Sequence, residues 1–268
     1  MQKNILGTAT HYQFFAKKNA PTLILLHGWL QNWQSLSPII TALSEKYQLV
    51  IPDLPGFGES SFEQDPLSST SVWNSDDYAQ WLATFITSLD LPKSQQLFVA
   101  GHSVGGKVAA VCAATHAATT MPNITGIILI SASGLPDPLS PTIKLKQTII
   151  SCIPEPLKKA IPTQIKSKLL SRLTVATDHL QSSDVQRAIL KRIVRENIQS
   201  TLNKITIPSL LIWGKLDTST PLHQGYAFHI ALRSSKLILC KKSGHFPFVD
   251  EPKTVIAAIT EFIDSTKI

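Results

Sequence analysis

The 268-residue sequence predicts an α/β fold with a mostly parallel central sheet flanked by helices. Three observations lead there. Short, β-rich apolar runs alternate along the chain with stretches of helical periodicity. One junction, Gln96-Leu97-Phe98-Val99-Ala100 followed by Gly101-His102-Ser103-Val104-Gly105, reads as buried strand, tight turn and helix. The rhythm breaks once, from Gly134 to roughly Asn203, where helical stretches punctuated by Pro136, Pro138, Pro141, Pro154, Pro156 and Pro162 replace strands.

The expected strands cover residues 11–16, 22–27, 48–52, 96–101, 125–131, 208–213 and 236–240. Between the third and fourth, Tyr78, Trp81, Leu82, Phe85, Ile86 and Leu89 recur at three-to-four spacing and mark one face of an amphipathic helix. Residues 107–118, rich in Ala and Val, suit a helix after the turn at Ser103. A last helix is expected from about Pro252 to Ile263, burying Val255, Ile256, Ile259, Phe262 and Ile263. Residues 135–203 read as a helical cap inserted between two strands, leaving 1–134 and 204–268 as the core domain. Ile189, Leu190, Ile193, Val194 and Ile198 form an apolar face there, which argues against a disordered linker. In a fold whose ligand site lies at the carboxyl ends of the strands, such an insertion covers the site as a lid.

The composition is that of an ordinary globular enzyme, with 43% hydrophobic and 16% charged residues. The N-terminus lacks the apolar core of a signal peptide, and no apolar run is long enough to span a bilayer, so a cytoplasmic protein without stable membrane insertion is expected. Cys112, Cys152 and Cys240 show no metal-ligand spacing and read as reduced structural thiols. Charge is uneven: the cap interval holds eleven basic residues against five acidic ones, nearly all of the formal net charge of +7. Solvated helix faces are one reading, and a docking surface for an anionic partner is the other. Nucleic acid is not expected, because no recognition motif accompanies the charge.

Gly101-His102-Ser103-Val104-Gly105 fits the G-x-S-x-G elbow, in which the serine sits at the apex of a crowded strand-to-helix turn. The elbow needs a base, an acid and an oxyanion hole. His245, in Gly244-His245-Phe246-Pro247, follows the last strand and reaches back over the sheet edge; a neutral imidazole there takes the hydroxyl proton and returns it to the leaving group. Asp217, in the turn after Leu210-Leu211-Ile212-Trp213, is the expected acid, with helix capping as its alternative role. Asp250 is the alternative acid but better suits capping the last helix. The oxyanion hole is expected from the backbone N–H groups of Val104 and of Trp29, in the loop after residues 22–27. His27 is expected to brace that loop. Trp33, His102 and Phe246 are candidates to line the substrate pocket, though each also suits a core.

Five segments carry a resemblance: His27-Gly28-Trp29, Asp53-Leu54-Pro55-Gly56-Phe57-Gly58-Glu59-Ser60, Gly101-His102-Ser103-Val104-Gly105-Gly106, Trp213-Gly214-Lys215-Leu216-Asp217 and Gly244-His245-Phe246. Over nearly its full length the chain resembles the α/β-hydrolase fold, in its small single-cap serine hydrolase form. The resemblance implies a carboxylesterase-like Ser103–His245–Asp217 triad, no cofactor or metal, and a small-molecule ester substrate. A serine nucleophile departs from the haloalkane dehalogenase and epoxide hydrolase branches, which use aspartate. The loop at His27 lacks the HGGG pattern of hormone-sensitive-lipase-like esterases. It also lacks the Gly-Pro-Gly continuation of many carbon–carbon hydrolases of vinylogous diketones, which remain an alternative. Val104 departs from the tryptophan of proline-specific peptidases. A further alternative is an esterase acting on acyl methyl esters carried by acidic acyl-carrier protein, with Arg187, Lys191, Arg192 and Arg195 as docking candidates. The non-enzyme alternative is a retired hydrolase serving as receptor or scaffold.

Overall fold

A computed structural model of the protein describes residues 1–63, 72–92, 94–115, 122–135 and 183–266. The strands are β1 (Gln2–Ile5), β2 (Thr8–Phe15), β3 (Thr22–Leu26), β4 (Gln48–Pro52), β5 (Ser61–Phe62), β6 (Leu97–His102), β7 (Ile124–Ile130), β8 (Ser209–Gly214) and β9 (Ser235–Cys240). The helices are α1 (Ser37–Ser44), α2 (Ser75–Ser88), α3 (Val104–Thr115), α4 (Asp184–Ile193), α5 (Gln199–Leu202), α6 (Leu222–Ala231), α7 (Pro247–Asp250) and α8 (Pro252–Ser265). The described strands form one sheet in the order β1-β2-β4-β3-β6-β7-β8-β9, with β5 on β2. From β4 to β9 every pairing is parallel; β1, β2 and β5 pair antiparallel at one side.

A parallel sheet covered on both faces needs strands that are apolar throughout. β3, β6 and β8 are buried at every position. Their side chains alternate between two cores. Ile24, Leu26, Val99, Leu129, Leu211 and Trp213 face the layer of α2, α3 and α6. Leu23, Leu25, Phe98, Ala100, Ile128, Leu210 and Ile212 face α1 and α8. Each fully buried Leu or Ile contributes about 1.5–3 kcal/mol.

Local signals start the helices where they are found. Asn74 accepts from the Asp76 and Asp77 N–H groups while Asp77 accepts from the Asn74 N–H, a reciprocal capping box for α2. Ser183 and Gln186 do the same for α4. Tyr78, Trp81, Leu82, Phe85 and Ile86 are the buried face of α2.

β1 lies outside the sequence expectation. It folds back on β2 through a two-residue turn, Leu6-Gly7, with both residues at positive φ. Ile189, Ile193, Ile198 and Leu202 are buried in the core shared with α3, so residues 183–203 pack onto the sheet's own helical layer. Ile198 N–H donates to the Gly134 carbonyl at 2.9 Å, which joins the two ends of the interval expected to be the cap. Cys152 and the basic residues from Lys144 to Arg172 lie outside the described residues. Cys112 and Cys240 are buried free thiols; burial pushes them up to about 12 and about 11, which keeps them protonated and inert.

Candidate active site

The candidate residues lie at the carboxyl ends of the parallel strands: the loop at His27 after β3, Ser103 after β6, Asp217 after β8 and His245 after β9. Ser103 holds a left-handed φ of 52°, a conformation that non-glycine residues keep only where the surroundings enforce it. Its N–H donates to the Ile130 carbonyl at 3.0 Å, and its carbonyl accepts from Ser133 and Lys107 at 3.0 and 3.1 Å. A Cβ on Gly101 would overlap the Gly105 backbone, and one on Gly105 would overlap the His27 carbonyl. The two glycines therefore let strand, helix and the loop at His27 meet around the serine.

The Asp217 turn and the His245 loop are brought together by another absent side chain. A Cβ on Gly214 would overlap the Gly244 carbonyl oxygen. His245 Nδ1 lies 2.9 Å from Asp217 Oδ2 and 3.1 Å from Oδ1. Burial alone would raise the Asp217 carboxyl, but the His245 hydrogen bond and charge and the Thr220 donors outweigh it and hold the carboxyl below its usual 3.8. An ionised carboxylate only accepts, so the proton of a neutral His245 sits on Nδ1 and Nε2 keeps its lone pair. Asp217 Oδ1 also takes the Ser219 and Thr220 N–H groups, both at 2.9 Å, so it fixes its own turn as well as His245; α6 itself starts at Pro221 without a side-chain cap. Asp250, the alternative acid, accepts the Gly244 N–H at 2.9 Å, and α8 has no side-chain cap, so the capping expected of Asp250 is not found. Among the described residues the Ser103 hydroxyl has no hydrogen bond to His245, a contact that in ligand-free sites often tightens only with substrate bound.

The loop after β3 is held from several sides. His27 Nδ1–H donates to the Gly28 carbonyl at 2.8 Å, and Nε2 accepts the Leu54 N–H at 2.9 Å. Burial lowers His27 to about 4, so it stays neutral as this pattern requires. Gln31 Oε1 takes the Gly28 N–H at 3.0 Å. The buried Asp53 carboxylate accepts the Trp33 N–H at 2.7 Å, the Glu59 N–H at 3.0 Å and His11 Nδ1–H at 3.1 Å. No acceptor among the described residues takes the Trp29 or the Val104 N–H.

The three pocket candidates are placed differently. Phe246 is 40% exposed, with its ring 5.3 Å from that of His245. Trp33 packs with the core on the α1 side of the sheet. His102 is 1% exposed and sits against His245, Phe246 and Phe248, with ring centroids 4.7, 5.1 and 5.0 Å away. Its Nε2–H donates to the His245 carbonyl at 2.7 Å, and burial lowers it to about 3. His102 therefore backs the His245 loop instead of facing a pocket: the side-chain direction at the end of β6 turns it inward.

Sequence reasoning missed Thr220 and Lys107. Lys107, one turn beyond Ser103, is 1% exposed and donates from Nζ to the Ile193 carbonyl at 2.6 Å and to Glu196 Oε2 at 3.2 Å. Burial lowers its pKa, and the Glu196 charge and hydrogen bond oppose that shift. The Glu196 carboxylate also accepts the Ser75 hydroxyl at the start of α2. The charge of Lys107, unusual inside an Ala- and Val-rich helix, was the available signal. Of the four docking candidates, Arg187 pairs with Asp184 and Arg192 donates to the Val72 carbonyl. Lys191, Arg192 and Arg195 are exposed.

A family model described as alpha/beta hydrolase fold matches residues 21–155. A pimeloyl-[acyl-carrier protein] methyl ester esterase of Aeromonas hydrophila is 26% identical, over 91% of this chain and 95% of its own. An uncharacterized hydrolase of Bacillus subtilis is 25% identical, over 96% and 95%. A putative lipase from Acinetobacter baumannii has a TM-score of 0.72 at 20% identity, covering 99% of this chain and 91% of its own, and shares the fold. With the matching model spanning half of its length, the chain belongs to the alpha/beta hydrolase fold family.

Proposed function

We propose that the protein is a serine hydrolase that cleaves carboxylic esters through an acyl-enzyme. The observation that carries this reading is the His245 Nδ1 contact with the Asp217 carboxylate at 2.9 Å, beside a serine at the strained apex of its elbow. Ser103 Oγ attacks the ester carbonyl carbon as His245 Nε2 takes its proton, and the Val104 and Trp29 amides receive the oxyanion. The tetrahedral adduct collapses; the C–O bond to the alcohol breaks, and His245 returns the proton to that oxygen. Water then gives a proton to His245, attacks the acyl carbon and releases the acid, and Ser103 recovers its proton.

The interval 135–203 is the expected cap; with 183–203 packed on the helical layer, any part of it that reaches over this site would set acyl length and alcohol preference. A fluorophosphonate probe tests the reading. Ser103 should be labelled, and His245→Ala should suppress the labelling; a folded wild type that forms no adduct would refute it. A panel of short and long p-nitrophenyl esters, a lactone and a vinylogous diketone then separates ester from carbon–carbon hydrolysis.

The exposed Lys191, Arg192 and Arg195 favour a narrower form of the same activity, removal of a methyl ester from an acyl group on an acidic carrier protein. The name of the Aeromonas hydrophila relative supports the same form. Rising salt should then slow turnover of the carrier-bound ester far more than that of a small free ester. An equal salt response would remove the carrier.

A further inference from the structure

We propose that Thr220 is a positioning residue of this site, its hydroxyl and amide holding the Asp217 carboxylate in register with His245. The inference rests on the serine-hydrolase reading, within which it assigns a further residue.

Thr220 touches both oxygens of the acid. Its N–H donates to Oδ1 at 2.9 Å, and its Oγ1 lies 2.8 Å from Oδ2. Two oxygens that both present lone pairs would repel at that separation, so the single hydroxyl hydrogen lies toward Oδ2. Oγ1 is also 3.1 Å from the Ser131 carbonyl and 3.3 Å from His245 Nδ1. The hydroxyl therefore fills the space between the acid, the base and the end of β7, and no water is needed there to complete the carboxylate.

Thr220 is itself fixed. It is buried, and its carbonyl accepts Trp213 Nε1–H at 2.7 Å from a fully buried indole on β8. A rigid strand residue thus holds Thr220, Thr220 holds Asp217, and Asp217 orients the imidazole. With the Thr220 hydroxyl gone, Oδ2 keeps only His245 as a donor among the described residues. More negative charge then stays on that oxygen, and the carboxylate is freer to turn away from Nδ1. Charge on Oδ2 favours protonated His245, so the acid limb of the kcat/KM profile should move to higher pH, while a turning carboxylate lowers kcat. Other titratable groups around His245 include His102, which is buried and neutral, Lys242 earlier on its loop, Asp250 at the end of α7 and Glu251 just after it. Asp250 and Glu251 are engaged by the Gly244 and Lys242 N–H groups, and neither touches the Thr220 hydroxyl.

The test is Thr220→Val, close in shape but without the hydroxyl, with Thr220→Ser to restore it and Thr220→Cys as a weak donor of similar size. Rates on a p-nitrophenyl ester are normalised to sites titrated with fluorophosphonate, so only folded sites are counted. Expected is a drop in kcat of about tenfold for Val with KM within about twofold, since the loss falls on a charge-assisted hydrogen bond. The acid limb should rise by about half a pH unit, Ser should recover both values, and Cys should fall between. If Val does not fold, the order of Cys below Ser carries the test. Unchanged kcat and pH profile in Val and Cys, or Ser as impaired as Val, would overturn the assignment while leaving the hydrolase reading intact. Wild-type turnover that survives Ser103→Ala would overturn both.

Discussion

Lowering the pH from 8 to 5 is expected to cost this fold about 4 kcal/mol through His27 and His102 alone. Both rings are wholly buried, and burial lowers them from 6.5 to about 4 and about 3. The unfolded chain binds a proton at each site below 6.5, whereas the folded chain refuses it until about 4 and about 3. Acid therefore draws the equilibrium toward the unfolded state, and stability falls as pH drops through that window. At pH 5 the unfolded side is favoured by about 2 kcal/mol per ring, taking RT as about 0.59 kcal/mol. Asp217 does not enter this range: its lowered carboxyl gives stability that is present above 3.8 and is lost only as pH falls below it. Urea unfolding at constant ionic strength and pH 8, 7, 6 and 5 measures the loss. His102→Gln, which keeps an N–H donor for the His245 carbonyl but does not titrate, should cut the loss to about 2 kcal/mol whatever it does to stability at pH 8. A flat unfolding free energy between pH 8 and 5 would refute the neutral, buried state of both rings.

Gly214→Ala should reduce esterase turnover by about a hundredfold, because its Cβ needs the Gly244 carbonyl to move and His245 moves with it. Gly244→Ala, whose Cβ would meet nothing within 4 Å, should stay within about threefold of wild type, so the pair separates crowding from general loop sensitivity. Lys107→Met should lower stability by about 3 kcal/mol in urea melts, since it strands the Glu196 carboxylate and the Ile193 carbonyl. Adding Glu196→Gln should recover at least about 1 kcal/mol of that loss, and strict additivity would show that the pair is not coupled. Reversing Lys191, Arg192 and Arg195 to Glu should leave turnover of a small ester unchanged and should raise KM for an ester on an acidic carrier protein by about tenfold or more.

What was legible in the sequence is what backbone geometry dictates locally. Gly101 and Gly105 are there because main chain crowds the elbow, and that requirement shows as two glycines at fixed spacing around Ser103. The parallel strands were legible because burial on both faces makes them continuously apolar. β1 was not, since Gln2-Lys3-Asn4-Ile5 is largely polar and its pairing rests on a turn in which Leu6 takes a positive φ.

The supports of the site were hidden for a different reason. They are hydrogen bonds between segments far apart in the chain: Asp53 on the Trp33 N–H, His102 on the His245 carbonyl, Lys107 on the carbonyl of Ile193. Each depends on the order of strands and helices in space and on the direction of a side chain, neither of which a residue type encodes. Adjacency to Ser103 in sequence makes His102 a pocket candidate, yet the sheet turns its ring behind His245. The same burial leaves His102 neutral, with its one N–H spent on the His245 carbonyl. A second imidazole titrating 4.7 Å away would oppose each protonation of the base by charge repulsion. Burying His102 removes that competition, so the mechanism proposed above has a single imidazole to work with at this point.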